Sequence, residues 1–135
     1  YGQSELDKYA AAEAEKQGRY VIPDPDPGKG YFFRSDHFNF AKAGIPALYA
    51  SGSFESKEKG KEFIEGKTQE YLAVRYHQPQ DNYIPEDWDL KGIAQDAKLL
   101  FNVGYRIANE TYFPQWNEGS EFKAKRDADM SLRKK

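Results

Sequence analysis

The chain contains no cysteine, only two histidines and a single methionine in 135 residues. Without cysteine there is no disulfide, no thiolate metal site and no cysteine nucleophile. No apolar run approaches the roughly 18 residues a membrane-spanning helix needs. No surplus of positive charge exists either: the formal net charge is -2. This removes the electrostatic case for nucleic acid or for an anionic membrane surface. The start, YGQSELDKYAAAEAEKQGR, is polar and helical in pattern, so it is not read as a signal peptide. The first residue is Tyr rather than Met, and the chain is read as processed or as a fragment.

Aromatic residues, by contrast, make up 16% of the chain, which favours a packed globule over disorder. One domain of ordinary size is expected over 1–135, with an aromatic and then charged tail over 113–135. The pattern predicts a helix over 4–17, with Ser4 as N-cap, Asp7 in an acidic capping box and Gly18 as the C′ residue. Its inward stripe is Leu6, Tyr9, Ala10, Glu13 and Ala14. RYVI is expected as a short strand ending at PDPDPGKG, whose alternating prolines forbid helix and ladder alike. A short helix capped by Ser35 and stopped by Gly44 should lead into a buried strand, IPALYA. Residues 51–70 read as a solvated insertion or as a lid over a cleft. YLAVRYH is expected as extended, and QPQDNYIPEDWD as loop. The longest helix is predicted over 89–109, with Asp89 as N-cap and a buried stripe of Ile93, Ala97, Leu100, Phe101, Gly104, Ile107 and Ala108. The last dozen residues read as a frayed helix or as disorder. Together these elements predict an α/β fold.

Few residues could carry chemistry. A metal would need His, Asp and Glu, and only His37 and His77 are on offer. Each has an aspartate near it, Asp36 before His37 and Asp81 after His77. A carboxylate close to an imidazole can fix the tautomer of a ligand or catalytic histidine, and it is also common in simple surface pairs. No G-x-S-x-G nucleophile elbow occurs. PGKGYF has glycines but lacks the frame of a phosphate-binding loop.

Two stretches carry the reading further. YFFRSDHFNFAKAGIPALYASG (31–52) and RYHQPQDNY (75–83) closely resemble the C-terminal half of the zinc-dependent exopeptidases of aminopeptidase type. That group includes bacterial leucyl aminopeptidases, the glutamate carboxypeptidase II group and, more distantly, glutaminyl cyclases. Its pattern joins an S-D-H-x-x-F-x-x-x-G-I/V-P-A segment, an insertion, a Y-H-x-x-x-D segment and a long final helix. The resemblance covers residues 3–127.

The resemblance implies the C-terminal portion of a three-layer α/β/α domain with a mostly parallel sheet. It implies two zinc ions, held mainly by groups upstream of this segment, with a Glu as general base. His77 matches the family's last zinc ligand, and Tyr76 a tyrosine that donates to the oxyanion. Arg34 matches a position that binds substrate or intermediate. Ser35, Asp36 and His37 line the site, and Asp81 supports the ligand. The implied activity is hydrolysis of N-terminal residues from peptides by metal-activated water, in a periplasmic or secreted protein. The segment alone is expected to be inactive and to need the N-terminal half of the same domain. The alternatives are a non-catalytic binding or receptor-like homologue and a glutaminyl-cyclase-like acyltransferase.

Overall fold

The computed structural model describes residues 1–52 and 54–133. Position 53 of the charged 51–70 segment and the last two residues of the 113–135 tail therefore lie outside the described residues. The helices are α1 (Leu6–Lys16), α2 (His37–Lys42), α3 (Gly60–Val74), α4 (Lys91–Asn109) and α5 (Lys123–Arg133). Two short 3-10 turns, Pro27–Lys29 and Tyr31–Arg34, precede α2. The chain divides into two compact units, one of residues 1–49 and 97–135, the other of residues 50–96.

No β-sheet forms among the described residues, which overturns the expected α/β fold and its mostly parallel sheet. Pairing is limited to two isolated antiparallel bridges, Ser4 with Trp116 and Ser56 with Gly60. The three expected strands fail for identifiable reasons. A strand is a relation between two backbones, so a β-favouring segment without a neighbour is merely extended chain. RYVI and IPALYA stay irregular, and Pro23 and Pro46 each remove a donor a ladder would need. YLAV is absorbed into α3, whose exposed surface carries the ion pairs Lys61–Glu65 and Lys67–Glu70 at helical spacing.

In the first unit, α1 buries Leu6, Tyr9, Ala10, Glu13 and Ala14, the stripe its 3.6-residue period predicts. Its start differs from the expected capping box. Ser4 Oγ accepts from Leu6 N at 3.3 Å, while the Asp7 carboxylate takes the N–H of Gly2 at 2.7 Å. Its end follows expectation. Gly18 N–H donates to Glu15 O and Arg19 N–H to Ala14 O, the paired bonds of a Schellman stop.

One cluster joins Tyr9 and Ala14 of α1 to Leu99 and Val103 of α4, with Val21, Leu48 and Ile107 packed against it. The buried residues of α4 are thus Leu99 and Val103, neither of them in the expected stripe; of that stripe Ile107 packs against the cluster, while Leu100 and Phe101 are 46% and 67% exposed. The apolar face of the helix is wide, running from Leu99 and Val103 round to Phe101, so periodicity marks the face but not which part of it packs. The polar neighbours on the packed side made the choice. Asn102 reaches Glu13 at 3.2 Å, and the Arg106 guanidinium lies 4.4 Å from the centre of the Tyr9 ring.

A second cluster gathers Ala41, Trp116 and Phe122, flanked by Phe32, Phe38 and Ala47. Trp116 is 2% exposed, and its indole N–H donates to Gly44 O at 3.0 Å. The tail beyond residue 113 is therefore part of this core. It continues into α5, where Arg126 is buried.

In the second unit, α3 has no buried residue, and Asp89 Oδ1 accepts from Lys91 N at 3.0 Å where α4 begins.

Candidate functional site

The first group of candidates, Arg34 to His37, occupies the join between the 3-10 turn Tyr31–Arg34 and α2. Arg34, Ser35 and Asp36 are exposed. Ser35 is extended and does not cap α2 with its side chain, contrary to expectation; Asp36 takes the N-cap place. His37 opens the helix and turns inward. Its ring stacks on Tyr49 with centroids 5.0 Å apart and meets the edge of Phe32 at 4.6 Å. Its Nε2 is buried and has no hydrogen-bond partner among the described residues. An orphaned buried polar atom of this kind costs on the order of 1–3 kcal/mol and is uncommon.

The second group, Tyr76, His77 and Asp81, follows the C-terminus of α3 in the other unit. Tyr71 O accepts from both Arg75 N and Tyr76 N, each at 2.9 Å, which closes the helix. The chain then turns through Gln78 N to Arg75 O and Asp81 N to Gln78 O. Pro79 suits the second of these turns, because its fixed φ fits position i+1. His77 itself has φ of +58°, the one non-glycine residue with positive φ among those described. For a side chain other than Gly, Asn or Asp this backbone costs roughly 1–2 kcal/mol. His77 therefore holds a conformation that its own preferences oppose, and its neighbours must enforce it.

The side chains of this group are close to one another. The Tyr76 and His77 rings lie 4.0 Å apart, and the Tyr71 ring lies 5.8 Å from that of Tyr76. Asp81 does not pair with His77. Its Oδ2 accepts the Tyr71 hydroxyl at 2.8 Å, and that bond, helped by burial, raises the Tyr71 phenol above its ordinary pKa. Tyr71 is the residue sequence reasoning missed here. A tyrosine ten positions before an aspartate carries no spacing signal, and only the turn at 75–81 brings the two together. Beside the loop, Val74, Arg75, Gln80, Asn82 and Ile84 line an open, mostly apolar hollow of about 390 Å³.

Another polar cluster lies in the first unit, away from both motifs. Glu5 accepts from Tyr112 Oη at 2.6 Å and Gln115 N at 3.0 Å. Glu110 accepts from Tyr9 Oη at 2.5 Å and from Arg106 Nε at 2.8 Å. The tyrosine bonds, aided by these further donors, hold both carboxylates below the usual range. Every strong acceptor here is already satisfied within the protein, so the cluster fastens α1 to the segment after α4.

A zinc centre needs several donors converging on one point. Among the described residues no group of three or more His, Asp and Glu is placed to hold a metal ion. Among them, too, neither histidine forms an ion pair with a carboxylate, and Asp81 is engaged by Tyr71. The donors present do not make up a zinc ligand set. No helix among the described residues is long and apolar enough to cross a membrane.

No curated protein and no solved structure matches the chain. A family profile does, that of peptidase family M28, over residues 1–101. The matched span is well over half of the chain and includes both the 31–52 and the 75–83 stretches. Peptidases of this family are generally zinc-dependent hydrolases. On this match the chain belongs to peptidase family M28.

Proposed function

We propose that this chain contributes one edge of the active site of an aminopeptidase, an enzyme that releases N-terminal residues from peptides by hydrolysis. In this reading His77 is the imidazole offered to zinc, and the other donors come from residues of the protein outside this sequence. Tyr76, beside His77, aims a phenolic O–H at the oxyanion that forms as water adds to the scissile carbonyl. A donor placed for that developing charge lowers the barrier more than it tightens substrate binding. Arg34 offers a guanidinium fork to a carboxylate or to the charged intermediate. Ser35, Asp36 and His37 line the site, and Asp81 supports the loop that carries His77. By itself the segment is inactive, because its donors are too few. The export expected of bacterial members, to the periplasm or the medium, belongs to the same proposal.

The observation that supports this reading most is that one family match spans both motifs, with Tyr76 and His77 held ring against ring. The test is hydrolysis of a leucyl amide by the protein that carries this segment, with zinc content measured alongside. Changing residues around a metal's ligands costs 10–100-fold, so losing a ligand costs more. His77→Ala should therefore lower kcat/KM by about a hundredfold or more and reduce bound zinc. Tyr76→Phe should lower kcat by about 10²–10³-fold with KM little changed. Unchanged hydrolysis in His77→Ala would remove His77 from the site.

A further inference from the structure

The 71–81 loop contains a tie that neither the motif nor the proposed chemistry uses. Tyr71 touches the loop at two places. Its backbone carbonyl receives the N–H of Tyr76, and its phenol bonds the carboxylate of Asp81. The turn bonds between these points, Gln78 to Arg75 and Asp81 to Gln78, each reach back only three residues. They carry the chain round its corners without settling where the far end stops. The Tyr71–Asp81 bond spans ten residues and closes the loop. Between the two ties stands His77 with its positive φ, a backbone state that persists only where its surroundings hold it. The Tyr71 ring also lies against Tyr76, which lies against His77.

We infer that Tyr71 is a positioning residue, clamping both ends of the loop and so setting how Tyr76 and His77 present their rings. This inference rests on the aminopeptidase reading only for its consequence in catalysis; the clamp itself is a statement about geometry. The hydrogen bond is solvent-exposed, so water competes for each partner. The clamp acts because its two ties come from one rigid residue at the end of a helix, which makes the second bond nearly intramolecular once the first has formed.

The experiment is proton NMR of the full chain without metal, reading the ring-to-ring Overhauser contact and the ring-current shift between Tyr76 and His77. The Tyr83–Trp88 ring pair, in the same unit of the chain as the loop, serves as an internal control for folding. Tyr71→Phe keeps the ring and removes the hydroxyl. It should abolish the Tyr76–His77 signature and leave the Tyr83–Trp88 contact in place. Asp81→Ala should do the same, and Asp81→Asn, which retains an acceptor, should restore the signature. Survival of the signature in both Tyr71→Phe and Asp81→Ala overturns the inference. So does its loss in Tyr71→Phe alone, because the bond would then not be the agent. Should Tyr71→Phe disturb the control pair as well, Asp81→Ala and Asp81→Asn decide the matter between them. In the protein that hydrolyses leucyl amide, Tyr71→Phe should lower kcat about tenfold with KM within about twofold, as expected when a transition-state donor is misplaced. Absence of leucyl-amide hydrolysis in the protein that carries this segment would defeat the aminopeptidase reading while leaving the ring signature to judge the clamp.

Discussion

Single positions in this chain carry very unequal weight, and Gly44 carries much of it. It has φ of +80°, ends α2 and supplies the carbonyl that takes the Trp116 indole N–H. A Cβ there would meet the Arg126 backbone N at 2.9 Å, closer than real Cβ contacts. Gly119 has a similar φ of +85° but open space around it. The two glycines thus separate backbone strain from collision. Gly119→Ala should cost about 1 kcal/mol, the usual cost of forcing a positive φ on alanine. Gly44→Ala should cost clearly more, because α5 must also shift. Urea unfolding of the two variants measures both, and equal losses would show that the approach of α5 is loose. The Gly44 stop was readable from sequence because glycine after a helical stretch is a local signal. The indole that uses its carbonyl, 72 residues further on, was not.

Among the elements, α1 shows how a mostly small and polar helix is held. Its buried Glu13 accepts from Lys16 at 2.5 Å and from Asn102 of α4 at 3.2 Å. The Lys16 bond is the main cause that lowers the Glu13 pKa below its ordinary value. The sign follows from linkage. A carboxylate whose folded pKa is depressed stabilises the fold above its unfolded pKa of about 4.3. That contribution is lost as pH falls from there through the folded value. Glu13→Gln should therefore be less stable than the parent at pH 7, and the gap should be smaller at pH 3. Unfolding midpoints at the two pH values check this, and a gap of constant size would rule it out. The inward stripe of α1 was legible because only one of its faces is apolar. On α4 the apolar face is much wider than the patch that packs, and its partners in α1 decided which edge of it is buried.

For the molecule as a whole, burial is unevenly shared. The unit of residues 1–49 and 97–135 holds both apolar clusters, whereas α3 in the unit of residues 50–96 buries nothing. Local stability follows buried apolar contact, so amides of α3 should exchange with solvent at least about ten times faster than those of α1. Hydrogen exchange read by mass spectrometry or NMR makes the comparison, and equal protection would contradict it. The loop bearing Tyr76 and His77 begins where α3 ends, so the proposed clamp by Tyr71 works in the less protected unit.

What the sequence determined by itself is local. The positions of α1, α2 and α4 followed from periodicity, the ends of α1 and α2 from glycine, and kinship from the order of the 31–52 and 75–83 motifs, because each is encoded within a few consecutive residues; α3, over residues read as insertion and extended chain, did not. The tertiary structure decided what depends on distant partners. The expected strands have no neighbour to pair with among the described residues, and strand formation requires one. Leu99 and Val103 face the core in place of Leu100 and Phe101 because Tyr9 and Glu13 lie on that side. Asp81 answers to Tyr71 rather than to His77, because the turns between them bring a phenol, not an imidazole, within hydrogen-bond reach.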